Sequence, residues 1–503
     1  MEIFIMLSTI LIGILLLFIY HQMTYWSNKG VPHIKIIPII GNRFVTLIFG
    51  GPSMPEFSKQ IYNQFPDAKY IGLMMFNSPV ILLKDLELIK DVCVKNFDFC
   101  PDHQSFIDER MDPILGKNVF SLRGERWREI RSALSPSFTT SKMKFLFQLI
   151  LKVSDDFINY FDNHSDITNM IDVKDAFTRY TNDVIATSAF GISVDSMQNR
   201  ENEFYLRGKD ATNLTGTRRI LKFMAGIIFP RLMRLAGQTY LSKDTNKFFV
   251  DLIHKTVKMR DEKGIVRPDM IHLLMQARDS AGFEMTIDDI VAQAFIFFLA
   301  GFDTSSTLMS FVCHQLAYHP DVQSRLRQEI DSLTSDNENN ESFSYDIITK
   351  MKYMDMVINE TLRLYPPVVI LDRVCVKSFD LPSPTPNTNG ITVSPGSKIW
   401  IAAYAMHRDP KYFSNPDEFI PDRFNDENKD NILPYSFVPF GIGPRKCIGE
   451  RFGMMETKLL LARILQKFII KPTEKSTKDI IIDRSSLNLV PKGGIWLQFA
   501  KRN

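Results

Sequence analysis

Phe440-Gly-Ile-Gly-Pro-Arg-Lys-Cys-Ile-Gly449 is the stretch of this 503-residue chain whose reading decides the fold. It presents one cysteine, Cys447, in a setting that favours an ionised sulfur. Gly441 and Gly443 carry no Cβ, so the backbone can take positive φ angles and pass close to a bulky, flat partner. Arg445 adds a fixed positive charge two residues before the sulfur. The apolar, acid-bearing run 448–458 reads as a helix, which puts Cys447 at a helix N-terminus. Free N–H groups and the positive end of the helix dipole there favour thiolate over thiol. The loop reads as a site for a soft metal ion.

The other cysteines, Cys93, Cys100, Cys313 and Cys375, show no CxxC or Cys/His spacing, which argues against a disulfide framework or a zinc site. Hydrophobic residues make up 45% of the chain and charged ones 23%, which excludes wholesale disorder. Basic and acidic residues number 60 and 57, so nucleic-acid binding gains no support. Residues 3–20 are uncharged and almost wholly apolar, about 27 Å long as a helix and enough to cross a bilayer. Tyr25 and Trp26 are then expected at the membrane interface. Lys29 and Lys35 follow the span, which places the body of the protein on the cytosolic side. No basic n-region or small-residue cleavage site accompanies the span, so it reads as an uncleaved anchor. Glycans at the sequons of Asn163, Asn213, Asn340 or Asn359 would overturn that topology.

Residues 1–22 are read as the transmembrane anchor, 23–42 as a proline-punctuated linker and 43–503 as the body. Long helical patterns dominate the body. β-Prone segments occur at 69–76 and 78–83, and a second strand-rich patch runs over 374–401 with turns at Asn389-Gly390 and Pro395-Gly396. The longest helix starts after Thr286, capped reciprocally with Asp289, and runs to Tyr318. At 1.5 Å per residue it spans about 50 Å, so it must be the central spine. In its middle, Ala300 and Gly301 remove bulk so that a flat group, or another helix, can lie close. Thr304 can bond back to the Ala300 carbonyl or offer its hydroxyl to a ligand, and Asp303 beside it can supply protons.

Glu360 and Arg363 share a helix face at i,i+3 spacing in apolar surroundings, and a buried pair needs a third partner, for which Arg423 is the candidate. Their role is structural, fixing the chain that leads to Cys447. Trp127 and Arg131, at i,i+4, offer an indole N–H and a guanidinium to an anion with two oxygens. Arg373 and Arg445 can add donors. Three arginines and a tryptophan match a cofactor with two carboxylates.

Together the cysteine loop, Glu360/Arg363, Pro421-Asp-Arg-Phe424, Ala300–Thr304 and Trp127/Arg131 resemble the signature set of the cytochrome P450 superfamily, in the expected order from about residue 30 to the end. The segments 95–103 and 134–139 further resemble insect microsomal enzymes of the group that includes xenobiotic-metabolising forms. The resemblance implies a mainly α fold with a minor β region, one haem-thiolate domain behind an N-terminal transmembrane helix. It implies haem b, with Cys447 as the axial iron ligand. Trp127, Arg131, Arg373 and Arg445 would meet its propionates, and Phe440, Gly441, Ala300 and Gly301 its ring. It implies monooxygenation with Thr304 and Asp303 delivering protons. Electrons would come from NADPH through a membrane-bound reductase, with cytochrome b5 as an auxiliary donor, at the endoplasmic reticulum. Arg126, Arg128 and Lys446 are candidates to dock the reductase's acidic patches.

Two rival readings are a haem-thiolate isomerase or dehydratase, and a membrane-anchored protein that binds lipophilic ligands or haem. The first is disfavoured because such relatives generally lose the acid/alcohol pair or disturb the cysteine loop, and this chain keeps both. The second gives no reason for Asp303-Thr304 or a basic proximal face. The segments expected to line the pocket, 102–120, 206–237, the stretch after Pro367 and 485–490, are apolar and imply lipophilic substrates. Ile227, Ile228, Phe229 and Pro230 are candidates to dip into the bilayer.

Overall fold

The computed structural model describes residues 1–503 apart from 39–50, 76–77, 105–106, 108, 213–220, 223–224, 227–228, 281, 336–342, 485, 487–488 and 503. Ile227, Ile228 and the sequon residues Asn213 and Asn340 lie outside the described residues.

Helix α1 (Glu2–Thr24) is long and apolar enough to cross a membrane, and none of its apolar window is buried against the protein. Trp26 departs from its expected place at the membrane interface. It is 1% exposed and donates its Nε1–H to the Leu73 carbonyl at 2.7 Å. The cause is Gly72, which leaves a bare strip of strand β1 (Tyr70–Met75) for the indole to cover. Val31, Ile34 and Ile36 are buried as well, so this part of the expected linker is docked on the domain. A Cβ at Gly72 would stand 2.4 Å from the Trp26 ring, so Gly72→Ala must expel the indole. The expected cost is about 1–3 kcal/mol of stability, read by urea unfolding together with a red shift in tryptophan emission.

β1 opens a four-stranded sheet in the order β1-β2-β7-β4, built with β2 (Ser78–Leu83), β4 (Leu371–Val374) and β7 (Lys398–Ile401). β2 and β7 are parallel and the other pairs antiparallel, so distant parts of the chain meet beside residue 373. β5 (Phe379–Leu381) and β6 (Ile391–Val393) form a hairpin. A further sheet, in the order β3-β9-β8, joins β3 (Ile171–Asp172), β8 (Phe468–Pro472) and β9 (Trp496–Lys501), a C-terminal pairing absent from the sequence reading.

Helices fill the rest: α2 (Gly124–Leu134), α3 (Thr140–Asn163), α4 (Val173–Ser188), α5 (Lys243–Lys263), α6 (Ile287–Tyr318), α7 (Lys352–Leu364) and α8 (Glu450–Lys467). α6 is the spine. Thr286 accepts from the Asp289 N–H at 3.2 Å and returns its own N–H to that carboxylate at 2.8 Å, closing the first turn. α4, α5, α7 and α8 pack around it, which is why α6 is apolar on nearly every side.

Candidate functional site

The cysteine loop is a tight turn closed on itself. The Cys447 N–H donates to the Phe440 carbonyl at 2.8 Å and the Lys446 N–H to Gly443 at 2.9 Å. Gly441 sits at φ +80° with room for a side chain, so its backbone angle is what demands glycine. Gly443 also takes a positive φ, +69°, but lacks that room. A Cβ there would lie 2.0 Å from the Cys93 carbonyl oxygen, so its glycine admits the neighbouring chain rather than a flat ligand. The helix begins at Glu450, so Cys447 precedes it. The Gly449 N–H reaches the sulfur and, with Arg131 and Lys446, lowers its pKa, yet burial outweighs them and pushes the thiol up. A coordinated metal ion reverses that balance, because it deprotonates a bound thiol outright.

Cys447 opens onto an internal cavity of about 460 Å³, a size suited to small organic molecules. Phe440, Gly441, Ala300, Gly301 and Thr304 share its wall. So do Trp127, Arg131, Arg373 and Arg445, drawn from α2, β4 and the loop. Apolar cover comes from Phe120, Phe138, Ile185, Leu308, Val368 and Ile370. Of the expected lining segments, 102–120 and the stretch after Pro367 contribute, whereas no described residue of 206–237 or 485–490 does.

Thr304 bonds back to the Ala300 carbonyl at 2.6 Å and keeps its surface in the cavity. Asp303 does not join it. One residue along a helix turns a side chain by about 100°, and Asp303 faces α4, where Lys174 pairs with its carboxylate at 2.8 Å. The same Lys174 ammonium donates to Ser306 and Thr307, so Asp303 belongs to a polar seam between α4 and α6, off the cavity wall. Gly301 serves packing as well as the cavity, because a Cβ there would meet Ile185 Cδ1 at 2.9 Å.

The cationic residues differ in commitment. Arg445 is buried and spends its donors on the Pro101 and Leu122 carbonyls (2.7 and 2.8 Å) and on Asp102 (3.2 Å), with Trp127 stacked 3.9 Å from its guanidinium carbon. It therefore clamps residues 101–122 to the cysteine loop before it can serve a ligand. Arg131 gives one N–H to the Lys446 carbonyl at 2.9 Å. Arg373 gives its terminal nitrogens to Asp372 and Ile442 carbonyls, but its buried Nε–H has no partner. An orphaned guanidinium N–H on a cavity wall suits a carboxylate ligand. Of the proximal basic residues, Arg126 is held by Asp289 at 3.0 Å, Arg128 by Asp98 and Glu125, and Lys446 by Glu450.

Glu360, Arg363 and Arg423 meet in the interior. Glu360 and Arg363 are fully buried and bidentate (2.7 and 2.8 Å), and Arg423 Nε reaches Glu360 at 3.2 Å. Arg363 also donates to the His407, Pro416 and Glu418 carbonyls, and the Ile420 N–H donates to Glu360 at 2.8 Å. His407 was not singled out in the sequence. It is wholly buried, burial pushes its pKa down to about 3, and its neutral Nε2 accepts from the Val438 N–H at 2.9 Å. It thus ties the Glu360–Arg363 knot to the chain entering the cysteine loop. His103 falls in the expected lining segment 102–120, although its sequence context assigns it no individual role. It lines the cavity, stacked on Phe120 and bonded to Asp372 at 3.0 Å. His407 sits in no local motif, so only the fold reveals it.

A large helical body, a glycine-flanked cysteine opening on an apolar cavity and a buried carboxylate–diarginine knot define a haem-thiolate protein. The sequence matches the family described as Cytochrome P450 over residues 34–498, and the chain belongs to that family. It is 44% identical over 508 residues to cytochrome P450 9e2 of Blattella germanica, covering 95% of this chain and 94% of the relative. It is 36% identical over 499 residues to probable cytochrome P450 9f2 of Drosophila melanogaster, covering 95% of each. Cytochrome P450 6j1 of Blattella germanica is 34% identical over 489 residues, covering 97% of this chain and 96% of the relative. The chain is therefore a haem-dependent monooxygenase.

Proposed function

We propose that this protein is an endoplasmic-reticulum monooxygenase, anchored by residues 1–22 with its body, 43–503, in the cytosol. It inserts one oxygen atom into lipophilic small molecules such as plant toxins, insecticides or endogenous lipids. Electrons come from NADPH through the membrane-bound reductase, with cytochrome b5 as an auxiliary donor. The observation that carries this reading is the apolar cavity whose wall includes both Cys447 and Thr304.

Cys447 would hold the haem iron. Arg373, through its unpartnered Nε–H, and Arg131 and Trp127 would hold the carboxylates, while Arg445 keeps the loop in place. When bound, haem supplies an iron whose thiolate ligand favours O–O cleavage. The apolar wall excludes bulk water and selects for lipophilic substrates. Thr304, free to exchange its bond to Ala300 for one to a ligand, guides protons at its Oγ. Thr304→Ala is expected to raise hydrogen peroxide released per NADPH consumed several-fold; unchanged coupling across good substrates would remove that role. The whole reading is tested in membranes reconstituted with reductase, NADPH and isotopically labelled O₂. Label is expected in the product. Turnover of an organic peroxide without NADPH, with no label incorporated from O₂, would instead favour the isomerase.

A further inference from the structure

A second cleft lies between the helix Pro320–Ser335 and the strands β8 and β9, and its wall shares no residue with that of the Cys447 cavity. Ser324, Arg327, Gln328 and Asp331 recur at helical spacing, so the helix turns one face to it. β8 contributes Ile469 and Lys471, while the alternate residues Phe468 and Ile470 are buried in the core. Ala500, paired with Ile469, and the neighbouring Lys501 and Arg502 complete the wall.

Two clasps fix the helix to the strands. The buried Gln323 amide donates to the Ile470 carbonyl at 2.9 Å and accepts from the Ile470 N–H at 2.8 Å. Two turns further along the helix, Asp331 takes a bidentate pair of bonds from Arg502 at 3.0 and 2.7 Å. Arg502 also donates to the Leu465 carbonyl at 3.0 Å. The walls of the cleft are therefore set before any ligand arrives.

Four cationic side chains line this cleft against one carboxylate, Asp331. Two of them are engaged, Arg502 by Asp331 and Lys501 by Asp162 at 2.7 Å. The other two are not. Among the described residues, neither the Arg327 guanidinium nor the Lys471 ammonium has a hydrogen-bond or ion-pair partner, and the Arg327 Nε–H is buried as well. Buried N–H groups are nearly always satisfied, and leaving one without an acceptor costs stability, so this one marks a place that an anion completes.

We propose that the cleft binds the phosphate group of a small soluble ester. Arg327 offers a planar fork that matches two phosphate oxygens, Lys471 a compact positive charge, and Ser324 and Gln328 neutral donors. A phosphate carrying nearly two negative charges suits two uncommitted cations better than a singly charged carboxylate does. The volume of about 550 Å³ exceeds the ion and leaves space for the organic part of an ester. Only Ile469 and Ala500 are apolar on this wall, so acyl chains find no surface to cover, which favours a soluble ester over a lipid headgroup. The inference stands independently of the oxygenation chemistry.

Calorimetric titration of purified full-length holoenzyme with pyrophosphate at low ionic strength tests the site. Saturable one-to-one binding in the sub-millimolar range is expected, and added salt should weaken it. Arg327→Gln and Lys471→Gln should each weaken it at least tenfold. Lys471 is exposed, so its variant keeps the test valid even where Arg327→Gln disturbs folding. Lys258→Gln, which alters an exposed lysine on α5, should bind as the wild type does. Glycerol phosphate and its dihexanoyl ester should bind alike, whereas a tenfold gain from the acyl chains would make the ligand a lipid and overturn the soluble source. Absence of saturable binding, binding unweakened in Lys471→Gln, or tighter binding of a hexaglutamate peptide than of pyrophosphate would overturn the phosphate site.

Discussion

Replacing Arg363 by Ala is expected to cost about 3–5 kcal/mol, a large share of the roughly 5–15 kcal/mol that keeps a typical domain folded. Arg363 has no exposed surface and satisfies both oxygens of Glu360 and three backbone carbonyls at once. Its removal leaves Glu360 with Arg423 and the Ile420 N–H alone, and leaves the His407 carbonyl without this donor. Lysine should not rescue the loss, because a point ammonium cannot reproduce the guanidinium fork. Urea unfolding of the variant measures the cost. A loss below about 1 kcal/mol would show that the knot is not what holds the residues leading to Val438 and the cysteine loop.

Cys447→Ser is expected to abolish oxygenation while leaving the fold in place. Serine fits the turn, keeps the backbone bond to Phe440 and disturbs no buried contact. What it lacks is a soft, ionisable sulfur, and an alcohol does not stand in for a thiolate at iron. Product formation under the conditions above should fall below detection at wild-type unfolding stability. Retained oxygenation would place the reactive centre elsewhere.

The signals legible in the sequence are those written locally. The cap at Thr286, the small pair at Ala300-Gly301, the bidentate spacing of Glu360 and Arg363 and the glycine-flanked cysteine each follow from neighbours a few residues apart. Facing is harder. Asp303 and Thr304 are adjacent in sequence, and only Lys174, on a helix far upstream, shows which of them meets the cavity. Trp26 looks like an interfacial aromatic until Gly72 supplies a slot for it, and Gly443 looks like room for a ligand until the Cys93 carbonyl fills that room. His407 carries no local pattern, since burial gives it its character. The β8–β9 pairing joins strands separated by a long loop, which periodicity does not register.

The central claim is that Cys447 binds haem iron as a thiolate. Reduced protein in membranes, exposed to carbon monoxide, tests it in one spectrum. A strongly red-shifted Soret band, absent in Cys447→Ser, is the expected result. A band at the shorter wavelength of histidine-ligated haem, or a red-shifted band that persists in Cys447→Ser, would contradict it.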